Sequence, residues 1–215
     1  MTEWEILVED GNLIVEFEKP GKKQEKRKSE DAEKLENQTK SDEGILLPPS
    51  ILKNMEIRAQ SIFRPEHEDI EILYALSGCS HRVNTLHQFS SEDVLYGSDS
   101  KEANVNVENM IAHIRAETGE LPELLVILHT HPGGEPLPST QDKLFFRTTA
   151  QKIKQYSSGT EVFYGIHAIS GGSVRAKKDY EKIKENTIKW SSITHDHEVA
   201  FYTKESKPKE VNKNG

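Results

Sequence analysis

The segment His129-Thr130-His131-Pro132-Gly133-Gly134-Glu135-Pro136-Leu137-Pro138-Ser139-Thr140-Gln141-Asp142 constrains this chain more than any other. It follows Leu124-Leu125-Val126-Ile127-Leu128, an apolar run that reads as a buried strand. Side chains two apart on a strand point to the same side, so His129 and His131 project together from its end. The Gly/Pro-rich stretch beyond them turns the chain back and lets Asp142 close a triangle. Two imidazoles and a carboxylate suit zinc, and a catalytic zinc keeps three protein ligands and one open position. Ser139 and Asp142 also spell Ser-x-x-Asp, the pattern of a helix N-terminal capping box. Ser139 can cap a helix and still offer its hydroxyl to a substrate, whereas a carboxylate committed to a metal is hard to share with a cap.

The rest of the chain reads as alternating elements. Trp4–Glu9 and Asn12–Phe17 flank Asp10-Gly11, a hairpin signal. Residues 18–44 follow as a charged linker, with acids and bases balanced and Ala32 and Leu35 as its aliphatics up to Glu43. Pro48-Pro49-Ser50 opens a helix with Ile51, Leu52, Met55, Ala59 and Ile62 at helical spacing, ended by Pro65. Strands are expected at Glu71–Gly78 and Val83–Phe89, then a helix capped by Asn106 and closed near Gly119. After the motif come a helix from Ser139, strands at Val162–Ala168 and Ser173–Ala176, and a helix around Tyr180, Ile183 and Ile188. Residues 193–215 read as a polar tail, leaving 45–192 as the main domain, a mixed α/β fold with the hairpin of residues 1–17 as an appendage. An isolated hairpin is marginal in water, so this one is expected to pack on the domain, on an adaptor or on a second copy.

Charge and cysteine content narrow the partners. The net charge of −8 comes with no basic stripe, which disfavours nucleic acid. A single cysteine, Cys79, excludes an internal disulfide and fits a reducing cytoplasm, where it reads as a small apolar filler. Neither a signal peptide nor a membrane-length apolar run is apparent. His195-Asp196-His197 repeats the His-x-His spacing without a preceding apolar strand or a spaced carboxylate, and reads as a surface pair. His167, inside a strand, reads as a core or rim histidine.

His-x-His, ten residues, then Asp, with Ser two residues short of that Asp, is similar to the signature of the JAMM (JAB or MPN+) metalloproteases. Glu71-Ile72-Leu73-Tyr74-Ala75-Leu76-Ser77-Gly78 resembles the family's upstream Glu-bearing strand. The resemblance implies a deaminase-like curved, mostly antiparallel sheet flanked by helices. It implies one zinc ion on His129, His131 and Asp142, with Glu71 as acid–base and Ser139 as oxyanion donor. A carboxylate inside an apolar run needs a partner, which favours Glu71 over Glu66, Glu68 or Asp69.

The chemistry implied is amide hydrolysis, in which an acid–base group delivers a proton to an otherwise poor amine leaving group. The family suggests a zinc isopeptidase cutting between the C-terminus of a ubiquitin-like protein and a target lysine. The polar insertion between Phe89 and Leu124 is a candidate wall for the extended tail. Two other readings share the motif or the fold: a RadC-like protein linked to DNA repair, and a non-catalytic MPN scaffold. The acidic balance weighs against the first and the filled motif positions against the second.

Overall fold

Strand periodicity builds the centre of this protein. The computed structural model describes residues 5–9, 12–16, 44–62, 71–89, 94–96, 103–171 and 176–213. The chain divides into two units, residues 1–43 and 44–215. In the first, β1 (Glu5–Glu9) pairs antiparallel with β2 (Asn12–Glu16), as the sequence predicts, while Asp10-Gly11 lies outside the described residues. The expected linker, the end of the first helix at Pro65, Glu66, Glu68, Asp69 and most of the expected strand at Ser173–Ala176 lie outside the described residues.

The second unit is built on a nine-stranded sheet. Its strands are β3 (Ile45–Leu47), β4 (Leu73–Cys79), β5 (Arg82–Gln88), β8 (Leu124–Pro132), β9 (Glu161–Gly171), β10 (Lys178–Lys184), β11 (Thr187–Ser191), β12 (His195–Tyr202) and β13 (Val211–Lys213). Their spatial order is β10-β11-β12-β9-β8-β4-β5-β3-β13, with a separate ladder of β6 (Val94–Tyr96) and β7 (Ala103–Val105). Pairing is antiparallel except for β8 with β9 and the short β3 with β5 and β13. Among the described residues, three helices flank the sheet: α1 (Pro49–Ile62), α2 (Val107–Thr118) and α3 (Thr140–Tyr156). None of the described helices is long and apolar enough to cross a membrane.

Alternation sorts the core into two layers. Ile51, Leu52 and Met55 of α1 pack with Tyr74, Leu76, Val126, Leu128, Trp190 and Phe201. On the other face Met110, Ile111 and Ile114 of α2 and Phe146, Ala150 and Ile153 of α3 cover Leu73, Ala75, Leu125, Ile127 and Ile166. β8 is therefore apolar on both faces, as an interior strand with a parallel neighbour should be. The sheet nearly closes on itself. The Val211 N–H donates to the Glu185 carbonyl at 3.0 Å, Lys182 pairs with Glu210 at 3.0 Å, and Lys213 donates to the Tyr180 carbonyl at 2.9 Å.

Four expectations need correction. The helix expected around Tyr180, Ile183 and Ile188 is the strand pair β10 and β11; Ile188 and Trp190 alternate with Lys189, a period of two that puts both in the core. Residues 193–215 are not a tail: β12 is an interior strand between β11 and β9, because Val199 and Phe201 fill one core layer while Ala200 and Tyr202 fill the other. His197 is fully buried, stacked on Trp190 and bonded to His167 at 3.0 Å, so the second His-x-His is not a surface pair. Cys79 is exposed beside the β4–β5 turn and fills no core space. His167 is fully buried, as expected of a core histidine.

Candidate metal centre

The end of β8 delivers two imidazoles to one point. His129 is 4 % exposed and His131 half-buried, and their Nε2 atoms lie 3.0 Å apart. The ring of His129 faces Phe146 of α3, which itself stacks on Tyr164 at 4.2 Å. Gly133 then takes a left-handed φ of 67°, where a side chain would be strained, and starts the turn back.

That turn leads into α3, whose first turn supplies the carboxylate. Ser139 is its N-cap, accepting the Asp142 N–H at 3.1 Å, and the Ser139 N–H donates to Asp142 Oδ2 at 2.6 Å. Asp142 Oδ1 lies 3.0 Å from His129 Nε2, and Oδ2 lies 3.7 Å from His131 Nε2. Oδ2 serves the cap while Oδ1 faces His129, so capping leaves one carboxylate oxygen turned to the imidazoles. Burial would raise the Asp142 carboxyl, but the hydrogen bond with His129 and those with Ser139 outweigh it and hold it well below the usual carboxylate range. Burial, followed by the neighbouring His129, pushes His131 below its ordinary value, against the Glu135 carbonyl and Asp142.

Glu71 lies two residues before β4, which begins at Leu73 and not at Glu71 as expected, with Oε1 3.8 Å from His131 Nε2. Donor atoms of Glu71, His129 and His131 all lie within 4.8 Å of one another, and these residues could hold a metal ion. In a tetrahedron with metal–ligand bonds of 2.0–2.1 Å, donors stand about 3.3 Å apart. The spacings of 3.0 Å between the imidazoles and of 3.0 Å from His129 Nε2 to Asp142 Oδ1 come close to that value. Mixed nitrogen and oxygen donors at this spacing fit zinc.

Three features of the site were not read from the sequence. The Glu135 carbonyl accepts from His131 Nδ1 at 3.0 Å, the outer contact that fixes a ligating imidazole. Thr130, between the two histidines, bonds both backbone groups of Ile72 and so locates Glu71. The only sign of this in the sequence is alternation, which turns a hydroxyl at 130 into the interior. Finally, a cavity of about 420 Å³ opens beside the turn, walled by Pro136, Leu137, Ala168, Ser170 and Tyr202 among others. The donor side chains themselves do not line it.

A family model described as prokaryotic homologs of the JAB domain matches residues 57–184, more than half of the chain. No curated protein matches it. The chain belongs to the prokaryotic JAB family, and the mixed α/β architecture with its mostly antiparallel sheet agrees with that fold.

Proposed function

We propose that this prokaryotic JAB-domain protein is a zinc-dependent isopeptidase, cutting the amide bond between the C-terminus of a ubiquitin-like protein and a target lysine. The observation that carries the reading is the gathering of donor atoms from Glu71, His129 and His131 within 4.8 Å of one another, with Asp142 Oδ1 3.0 Å from His129 Nε2. His129, His131 and Asp142 hold it. A zinc ion so held supplies Lewis acidity and lowers the pKa of a coordinated water toward neutrality.

The remaining work falls to the protein's own groups. Glu71 takes a proton from the attacking water and passes it to the departing lysine amine, which cannot leave as an anion. The Ser139 oxygen already accepts the Asp142 N–H, so its own proton is free to be donated to the carbonyl oxygen as that oxygen gains charge. A protein tail suits the surroundings, since Leu137 within the motif and Leu144 just after it are 57 % and 64 % exposed. The insertion before α2 carries the β6–β7 ladder, a candidate wall for an extended segment.

The test is incubation with a lysine-linked ubiquitin-like conjugate, with and without chelator, beside Glu71→Ala. Release of the free modifier by the wild type alone, and only without chelator, is the expected result. Cleavage that survives both treatments overturns the mechanism, and absence of bound zinc favours a scaffold.

A further inference from the structure

We propose that Tyr202 is a positioning residue for this site, holding the turn after β8 so that His131 presents Nε2 to the metal. The inference rests on the metal reading above. Tyr202 lies on β12, beyond the segment that matches the family, and is 5 % exposed. Its hydroxyl donates to the Pro136 carbonyl at 2.5 Å. The preceding carbonyl, that of Glu135, accepts from His131 Nδ1 at 3.0 Å. One side chain therefore fixes the peptide unit adjoining the one that orients the imidazole.

The turn needs such a hold. Pro132, Pro136 and Pro138 have no N–H to donate, so this stretch has few means of bonding to itself. One end is tied where the Gly133 N–H donates to the Ile169 carbonyl of β9 at 2.7 Å. The other end is tied by Tyr202 from the adjacent strand β12. Between these ties sits Glu135, whose carbonyl keeps the proton on His131 Nδ1 and leaves the Nε2 lone pair facing His129 and Asp142. Burial raises the pKa of the Tyr202 hydroxyl despite the Asn186 side chain, so it remains a donor at neutral pH.

The test uses the full chain and Co²⁺ as probe, with affinity read by chelator competition. Tyr202→Phe removes one buried oxygen and should weaken Co²⁺ binding about tenfold. Tyr74→Phe is the matched control: its hydroxyl bonds His167 at 2.8 Å in the opposite core layer, so its loss should cost stability and leave Co²⁺ affinity unchanged. A long-range ¹⁵N–¹H spectrum of the metal-free wild type should show His131 protonated at Nδ1, and Tyr202→Phe should show a mixture. Unchanged affinity in Tyr202→Phe, or an equal loss in Tyr74→Phe, overturns the role of Tyr202 alone. A wild type with His131 protonated mainly at Nε2 does so without any variant. A wild type that binds no Co²⁺ overturns the metal reading, and this inference with it.

Discussion

Thr130 grips Ile72 from both directions: its N–H donates to the Ile72 carbonyl at 3.0 Å, and its hydroxyl accepts the Ile72 N–H at 2.9 Å. The residue between the two histidines thus sets the height at which Glu71 enters. Thr130→Val keeps the shape but leaves a buried N–H unpaired, at a cost of about 1–3 kcal/mol. Conjugate cleavage should fall by roughly tenfold to a hundredfold through misplacement of Glu71, while zinc content stays unchanged. Thr130→Ser should restore both stability and rate, and equal losses in the two variants would contradict the assignment.

Glu71→Gln separates proton transfer from metal binding. The amide keeps the size of the side chain but cannot take the proton, so cleavage should drop by about 10²–10⁴-fold. Zinc content measured on the same sample should match the wild type. A variant that retains most of its rate would move the acid–base role elsewhere.

The cap made by Ser139 and its proposed oxyanion role can be measured apart. Ser139→Ala loses the cap on α3, worth about 1 kcal/mol in a denaturation midpoint. It also loses the oxyanion donor, worth about 10²–10³-fold in kcat. A rate loss no larger than the stability loss explains would leave Ser139 as a cap only.

Stability should weaken in mild acid. His197 is buried and its pKa is lowered to about 4, chiefly by burial; His167, bonded to it, is pushed down by burial and by His197. Both are neutral in the fold, whereas an unfolded histidine takes up a proton near pH 6.5. Their contribution is complete above that value, declines as pH falls below it, and for His197 is spent near pH 4. The loss attributable to His197 is on the order of 3 kcal/mol. Urea midpoints at pH 7.5 and 5 should differ in that direction, and less so in His197→Gln. A flat profile would mean that these histidines titrate in the fold as they do in the unfolded chain.

Ending the chain after Ser192 removes β12 from between β11 and β9. Such a protein should lose cooperative urea unfolding, even though every motif residue remains. A sharp transition in the shortened chain would show that β12 and β13 are dispensable.

How much of this could be read beforehand follows from where the information lies. His129, His131 and Asp142 were legible because their chemistry sits within one short segment behind an apolar strand. Asn106 and Ser139 were legible because caps are local, and both accept the N–H groups a cap should accept. β10 was not, since it is exposed along almost its whole length and shows no alternation to mark a strand. β12 begins with the polar run His195-Asp196-His197-Glu198, and the partners of its buried histidine, His167 and Trp190 among them, come from other strands. Thr130 and Tyr202 act through backbone carbonyls and amides, which leave no trace in residue type.

The near-closure of the sheet also orders events in time. Translation runs from the N-terminus, and the motif has been made well before Tyr202, Glu210 or Val211. The strand that braces the turn, and the contacts that draw β13 to the β10–β11 end, arrive last among the elements described. A nascent chain would therefore carry its complete set of donor residues while the scaffold that orients them is unfinished, so the donor cluster would take its final geometry only once β12 and β13 are in place.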